Sequence, residues 1–172
     1  MIVKDQVGSG EMIPMFDGHI FVEYEPKNTF ASVPDLRYRE IKPTSNNQRT
    51  HELLTGSAAG SNKVTVFNTE EKDKWSLNLA LLDNEIKNED KEGDLFLGGL
   101  VYYKQGQEIA ITGNALTLES YEKSPSDEVD LIKDINLHSS KEDEGIRLKQ
   151  RMGNSVGHYK GTLVWTLSDT PK

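Results

Sequence analysis

The sequence predicts an all-β protein, an antiparallel β-sandwich built as a single domain with long polar loops. Apolar residues alternate with polar ones in short runs, at the two-residue period of a half-buried strand. Clusters of Gly, Asn, Asp and Ser separate these runs, and signals for helices are few. About nine such runs without helices favour a sandwich, with a barrel-like arrangement as the alternative.

The first half of the chain is predicted to begin with a loosely ordered segment and to continue with strands. Residues 1–17 are expected to be a loosely ordered lead-in, and residues 18–172 the β domain. Pro34 interrupts the second strand, which indicates an edge position or a bulge because proline has no N–H for the ladder. The polar stretch 39–61 is predicted to be a long surface loop, a kind of loop that is often functional or mobile. The strands expected here are 19–24, 29–38, 63–67 and 75–81.

The second half is predicted to continue with strands joined by polar turns. Lys104-Gln105-Gly106-Gln107 reads as a hairpin turn, because a glycine there supplies the backbone freedom that such turns need. An acidic loop is expected at 84–94. The strands expected here are 95–103, 108–112, 115–118, 129–137, 146–148 and 159–167.

Composition narrows the classes of partner and chemistry. The formal net charge of −8 disfavours nucleic acid and anionic lipid, because the field of the protein opposes every phosphate contact. The chain has no cysteine, which excludes disulfides, thiolate metal sites and a cysteine nucleophile. No apolar run reaches the length of a membrane span, so no membrane insertion is expected. The first residues do not read as a signal peptide.

One literal catalytic motif is present. Residues 153–157 read Gly-Asn-Ser-Val-Gly, the pattern of a nucleophile elbow around Ser155. That elbow requires a helix after the serine and a histidine further downstream, but a predicted strand follows and His158 is immediately adjacent. The favoured interpretation is a glycine-rich turn. No catalytic residue and no cofactor is therefore predicted, and the protein is not expected to be an enzyme.

Metal chemistry has little support in the sequence. The four histidines fall at unrelated spacings, so no zinc site is predicted. The loop around residue 90 faintly resembles a calcium-binding loop, but its twelfth position falls on Gly99 rather than on an acidic residue. A solvated acidic turn is the favoured interpretation. The alternative is a weak cation site formed by Glu89, Asp90, Glu92 and Asp94.

Both tryptophans of the chain occur in the same triplet, Trp-x-Leu. Trp75 and Leu77 form the first copy, and Trp165 and Leu167 form the second, each within an alternating run. Side chains two residues apart on a strand point the same way, so each Trp and Leu share a face. They could pack in the core, or at least one indole could be exposed and stack on a sugar ring.

The flanks of these triplets resemble the WxL domain of Gram-positive surface proteins. Residues 159–171 follow the family's distal segment, Tyr-x-Gly/Ala-Thr-Leu-x-Trp-Thr-Leu-Ser-Asp-x-Pro, almost position by position. Residues 64–68 resemble the strand that leads to the proximal Trp, and residues 32–36 resemble a Val-Pro-x-Leu element near the family's start. The sequence departs from the family at 68–71, where Asp-x-Arg-Gly is frequent, and at 37–38, where Phe-Gly is usual. The resemblance spans roughly residues 18–171.

The resemblance implies a secreted protein held non-covalently at the bacterial cell wall. Peptidoglycan is the implied ligand, and the two motifs, Trp75 with Leu77 and Trp165 with Leu167, are the implied binding residues. An anchored, immunoglobulin-like WxL-interacting protein is the implied alternative partner, in which case the domain is a protein–protein module. At a net charge of −8, direct electrostatic attraction to anionic teichoic acids is not expected.

Overall fold

The structure is a computed structural model that describes residues 12–14, 20–22, 28–45, 47–55, 61–67, 74–122 and 132–169. Strands make up 53% of these residues, and within this part of the chain the sheets are antiparallel and do not close into a barrel. This arrangement confirms the predicted all-β, sandwich-like class. The strands are β1 (Met12–Pro14), β2 (Ile20–Val22), β3 (Thr29–Ser32), β4 (Arg49–Glu52), β5 (Lys63–Phe67), β6 (Lys74–Leu81), β7 (Lys87–Asn88), β8 (Gly98–Lys104), β9 (Gln107–Ile111), β10 (Leu116–Glu122), β11 (Ile132–Asn136), β12 (Gly145–Gln150), β13 (Tyr159–Lys160) and β14 (Leu163–Asp169).

Three sheets surround the core. One has the order β10-β6-β14, a second β11-β5-β3, and a third β4-β12-β8-β9. Two small ladders, β1-β2 and β13-β7, complete the pairings between the named strands. Strand β6 is the central strand of the first sheet and alternates buried with less buried residues along its whole length. Its pattern is that of a strand with one face on the core and the other toward water.

A single hydrophobic cluster joins the three sheets. Strand β5 contributes Val64 and Val66, both with no exposed surface, and strand β6 contributes Leu77 and Leu79. The third sheet adds further apolar side chains, among them Ile111 of β9. The residues that alternate inward on these strands are those whose spacing predicted a half-buried sheet. The cluster therefore forms the common core of the domain.

Several predicted elements are confirmed and one long loop is corrected. Strand β3 ends before Pro34, lies at the edge of its sheet and has a register shift between Phe30 and Ser32. Residues 39–61 are not a continuous surface loop, because strand β4 lies within them and pairs with β12. An isolated bridge between Tyr38 and Leu53 also ties this stretch to the domain. Residues 46 and 56–60 lie outside the described part.

The turn between β8 and β9 and the break between β13 and β14 both fall at glycines with specific backbone or packing requirements. Gln105 and Gly106 both have positive φ, 52° and 78°, and link β8 to β9 as a two-residue hairpin. The predicted hairpin turn is thus confirmed. The predicted strand 159–167 is instead divided, because Tyr159 and Lys160 pair with β7 while β14 pairs with β6. The change of partner falls at Gly161, where a Cβ would press against Leu81.

The start of the chain contains more pairing than predicted. Strand β1, within the expected lead-in 1–17, pairs with β2. The rest of the lead-in lies outside the described residues. Among the residues that the structure describes, no helix has the length and apolar character needed to cross a membrane.

Candidate functional site

The two Trp-x-Leu motifs lie on neighbouring strands of one sheet. Strand β14 runs antiparallel to β6, with Trp165 opposite Leu79 and Leu167 opposite Leu77. Because strand side chains alternate, the Trp and Leu of both motifs point to the same face of the sheet. That face packs on the core. Two triplets far apart in sequence therefore form one continuous apolar surface.

Trp75 is a core residue, only 1% exposed. Its ring stacks on Tyr121 with a centroid separation of 5.7 Å and an interplanar angle of 21°. From strand β11, the ammonium of Lys133 lies 5.6 Å from the Trp75 ring and 5.0 Å from the Tyr121 ring, a cation–π arrangement. Nε1 of Trp75 has no hydrogen-bond acceptor among the described residues. The indole thus contributes to packing in the core, while its buried N–H, unpaired among these residues, lowers the stability gained from that packing.

The sequence-based assignment of all four motif residues to ligand contact needs correction. Trp75 and Leu77 have almost no accessible surface, so a ligand cannot touch them while the core stays closed. Trp165 and Leu167 are half-buried on strand β14 and pack against the same cluster. For these two, direct contact with a ligand stays a prediction.

The opposite face of the motif sheet presents the middle residues of both triplets, Ser76 and Thr166. Asn78 lies between them: its Nδ2 donates to Oγ of Ser76 at 3.3 Å and to Oγ of Ser168 at 3.4 Å. Its Oδ1 accepts a hydrogen bond from Oγ1 of Thr117 at 2.7 Å. The middle of this outer face is therefore an array of hydroxyl and amide groups, with the Lys74–Glu122 ion pair and the exposed Val164 on the same face.

The acidic segment 84–94 is fastened to the end of the chain through Asn88. This side chain is buried, and its Nδ2 donates to Oδ2 of Asp94 at 2.8 Å and to the carbonyl of Val156 at 3.4 Å. Its Oδ1 accepts the backbone N–H of Asp90 at 3.0 Å. The hydroxyl of Tyr159 donates to Asp94 at 3.3 Å. Together with the β7-β13 ladder, these contacts hold two distant segments side by side.

The carboxylates of this segment act as hydrogen-bond acceptors within the protein. Asp90 accepts the backbone N–H of His158 at 2.8 Å, which together with the His158 ring lowers the pKa of Asp90. The amide of Asn88 similarly lowers the pKa of Asp94. In the described part of the chain, no three His, Asp or Glu side chains gather to hold a metal ion. The alternative of a weak cation site is thus not assembled from its four members, Glu89, Asp90, Glu92 and Asp94.

The Gly-x-Ser-x-Gly sequence is a turn, as predicted. Its serine offers a backbone carbonyl, which accepts a hydrogen bond from the hydroxyl of Tyr159 at 3.0 Å. A Cβ at Gly157 would collide with the amide of Asn88, so glycine is required for this close approach. The ring of His158 lies 2.8 Å from Asp90. The histidine is thus directed to the acidic segment rather than to Ser155.

A cleft of about 260 Å³ lies between the segment 84–96 and strands β8, β9 and β12. Gly98 and Gly99 line it where β8 begins, opposite Gln150 and Lys149 of β12. Leu95, itself 41% exposed, makes an apolar wall with Ile86 and Phe96, while Asn84 and Glu85 add polar groups from the same segment. The cleft thus combines exposed backbone with apolar surface.

Charged groups of both signs also line the cleft. Nζ of Lys149 lies 2.5 Å from Oε1 of Glu108, although only 18% of the lysine side chain is exposed. The hydrogen bond from Lys149, with a second from the hydroxyl of Tyr103, holds the pKa of Glu108 below its ordinary value. Arg151 lines the same cleft, and its guanidinium makes no hydrogen bond or ion pair with any residue that the structure describes. One positive group is thus available to a ligand.

Sequence reasoning did not find this cleft. The available signal was the Gly98-Gly99 pair inside a predicted strand, since glycine there marks a bulge or a close approach to the backbone. The structure itself adds a second unusual feature. Asn84, which lines the cleft, and its neighbour Asp83 both have a left-handed backbone with φ of 57°. Left-handed non-glycine residues are uncommon and gather at ligand clamps and switch regions.

Comparison with known proteins adds no relative: no protein-family model, no curated protein and no solved structure gives a significant match to the chain.

Proposed function

We propose that this protein is a non-catalytic attachment domain that binds peptidoglycan at the surface of a Gram-positive bacterium, outside the cell. The observation that carries the proposal is the pairing of the two Trp-x-Leu strands. The segments that resemble the WxL domain are direct neighbours in one sheet, with Leu167 opposite Leu77. Motif residues that are far apart in the chain, one pair near its middle and one near its end, thus belong to one structural unit.

The burial of the tryptophans changes what the motifs contribute. Trp75 stabilises the sheet from within, while the outer face displays the hydroxyls of Ser76 and Thr166. An array of hydroxyl and amide groups on an acidic protein suits a neutral or mixed-charge wall polymer better than a polyanion. In this proposal the motifs form the scaffold on which the ligand-binding surface is built.

A sedimentation assay tests the proposal. The protein is mixed with insoluble peptidoglycan stripped of teichoic acids, at low and at high salt, and the pellet is compared with that from insoluble chitin. We expect the protein to pellet with peptidoglycan at both salt concentrations and to stay in solution with chitin. A protein that stays in the supernatant with peptidoglycan under both conditions refutes the proposed function.

A protein–protein role is the second candidate, favoured by the position of β14. This seven-residue strand lies at the edge of its sheet, and Val164 is 41% exposed on its outer face. An edge strand can add a strand from a partner. Val164→Lys places a charge at this exposed position of the edge strand, outside the hydroxyl and amide array. It should weaken binding to the ectodomain of an anchored WxL-interacting protein while leaving peptidoglycan sedimentation unchanged.

A further inference from the structure

Two adjacent glycines at the cleft have different physical reasons for being glycine. At Gly98, φ is +150° and a Cβ would collide with the backbone carbonyl of Lys149, so the fold itself requires glycine. At Gly99, no heavy atom lies within 4 Å of a Cβ, and φ is outside the left-handed region. Packing and backbone geometry therefore do not require Gly99. Its absent side chain leaves the cleft open and its backbone within reach of a ligand.

The groups around Gly99 define which ligand fits. Arg151 offers a guanidinium without a partner in the described part of the chain, and guanidinium groups match carboxylates geometrically. The Lys149–Glu108 pair offers a second, mixed-charge contact for the polar groups of a peptide. Leu95 and its neighbours in the segment 84–96 offer apolar contact for small side chains. The cleft is smaller than the ~300–1,000 Å³ typical of sites for drug-sized ligands, so it suits a short fragment.

A glycan strand fits these groups less well than a peptide does. Sugar rings are commonly held by exposed aromatic faces, but Trp75 is buried and Trp165 is half-buried against the core. Phe96, the aromatic residue that lines the cleft, is itself half-buried and packs edge-on against Tyr159 at 5.3 Å. The cleft therefore offers charge and aliphatic surface in place of an open stacking platform.

We infer that the cleft at Gly99 binds a short peptide with small aliphatic side chains and a free terminal carboxylate, the chemistry of a peptidoglycan stem peptide. The inference rests on the proposed function and names the part of peptidoglycan that is bound. The carboxylate pairs with Arg151, and the peptide backbone lies over Gly99. Small side chains face the aliphatic wall at Leu95.

Calorimetry with a defined probe tests the inference. The probe is diacetyl-lysyl-D-alanyl-D-alanine, and its C-terminal amide differs from it only at the carboxylate. We expect the wild-type protein to bind the acid about tenfold or more tightly than the amide, because the amide cannot form the charge-assisted hydrogen bond with Arg151. With Arg151→Gln, acid and amide should bind equally, because the two changes remove the same contact. Arg37→Gln, a charge-matched change at an exposed residue that does not line the cleft, should leave the preference intact.

Gly99→Val separates occlusion of the cleft from misfolding. Valine favours a strand and has open space here, so the thermal midpoint should stay the same or rise while binding of the probe is lost. Ser120→Val places the same side chain at an exposed position of β10, in the β10-β6-β14 sheet. This variant should bind the probe as tightly as the wild type does. Retained binding in Gly99→Val, or equal binding of acid and amide by the wild type, overturns the inference.

The two proposals fail in different ways. Wild-type protein that pellets with peptidoglycan but ignores the soluble probe overturns the stem-peptide inference and leaves the proposed function standing. If the protein pellets equally with peptidoglycan and with glycan strands from which an amidase has removed the peptides, the stem-peptide inference is also overturned and the proposed function stands. Wild-type protein that binds the probe but pellets with no peptidoglycan refutes attachment and leaves the cleft as a peptide site.

Discussion

The indole of Trp75 packs on Tyr121 from its own sheet and on Lys133 from the neighbouring sheet. Trp75→Ala should therefore lower the free energy of unfolding by about 3–5 kcal/mol, the usual cost of removing a buried aromatic ring. Trp75→Phe should cost less, because it keeps a ring in the stack and removes the unpaired N–H. Urea denaturation of the three proteins measures both losses. Equal losses for Ala and Phe would contradict this account of the stack.

The two indoles should also differ in their access to solvent. Trp165 is half-buried on edge strand β14, whereas Trp75 is enclosed. In single-tryptophan proteins made by Trp75→Phe and Trp165→Phe, acrylamide should quench the fluorescence of Trp165 several-fold more efficiently, because quenching requires collision. Denatured samples of both proteins serve as the control and should be quenched alike. Stronger quenching of Trp75 would show that the core packs differently.

The alternation in the sequence predicted which face of its strand each of these residues occupies, but not how deeply each is buried. Alternation correctly placed Trp75 with Leu77, and Trp165 with Leu167, on one face of each strand. Depth depends on whether a strand is central or at an edge, and strand order is set by contacts between distant segments. Strand β6 is central and β14 is at the edge, so like triplets become buried and half-buried.

At the scale of elements, the regular strands were predictable and the strands formed by pairing alone were not. Strand β5 was expected at the residues where it occurs, because its apolar residues alternate. Strand β4, Arg-Thr-His-Glu, carries no such pattern and was assigned to a loop. It becomes a strand because β12 offers it a ladder, and Arg147 of β12 binds Glu52 at 2.9 Å. Tertiary pairing here overrides local composition.

Docking of the acidic segment on the chain end should depend on pH through Asp94. Hydrogen bonding to Asn88 lowers the folded-state pKa of Asp94, so its stabilising contribution is present above the unfolded pKa and is lost as the pH falls through the folded value. The loss should begin near pH ~4, the ordinary aspartate range. The urea midpoint of the wild type should fall between pH 5 and 3, and that of Asp94→Asn should fall less.

A second variant in the same segment controls for the general effect of acid. Glu92→Gln removes a carboxylate that makes no hydrogen bond or ion pair with any described residue. Its pH dependence should match that of the wild type. If Asp94→Asn and Glu92→Gln respond identically, the Asn88–Asp94 hydrogen bond does not couple stability to pH.

At the scale of the whole molecule, fold class was the most predictable property. Alternation and turn residues are repeated along the chain, so errors in single elements leave the all-β prediction intact. The cleft was not predictable, because its lining comes from segments as distant as Asn84 and Arg151. Only the folded arrangement brings together a bare strand backbone, a guanidinium that no described residue pairs with, and an apolar wall.

The net charge of −8 sets how the whole protein should respond to a charged wall. Teichoic acids are polyanions, so walls that retain them should repel the protein at low salt, while stripped peptidoglycan should not. Raising the ionic strength shortens the screening length to about 8 Å near physiological salt, which should remove the difference. Sedimentation with native and stripped walls across a salt series measures it. Stronger binding to native walls at low salt would mean that the protein recognises the teichoic acid itself, against the field of its own charge.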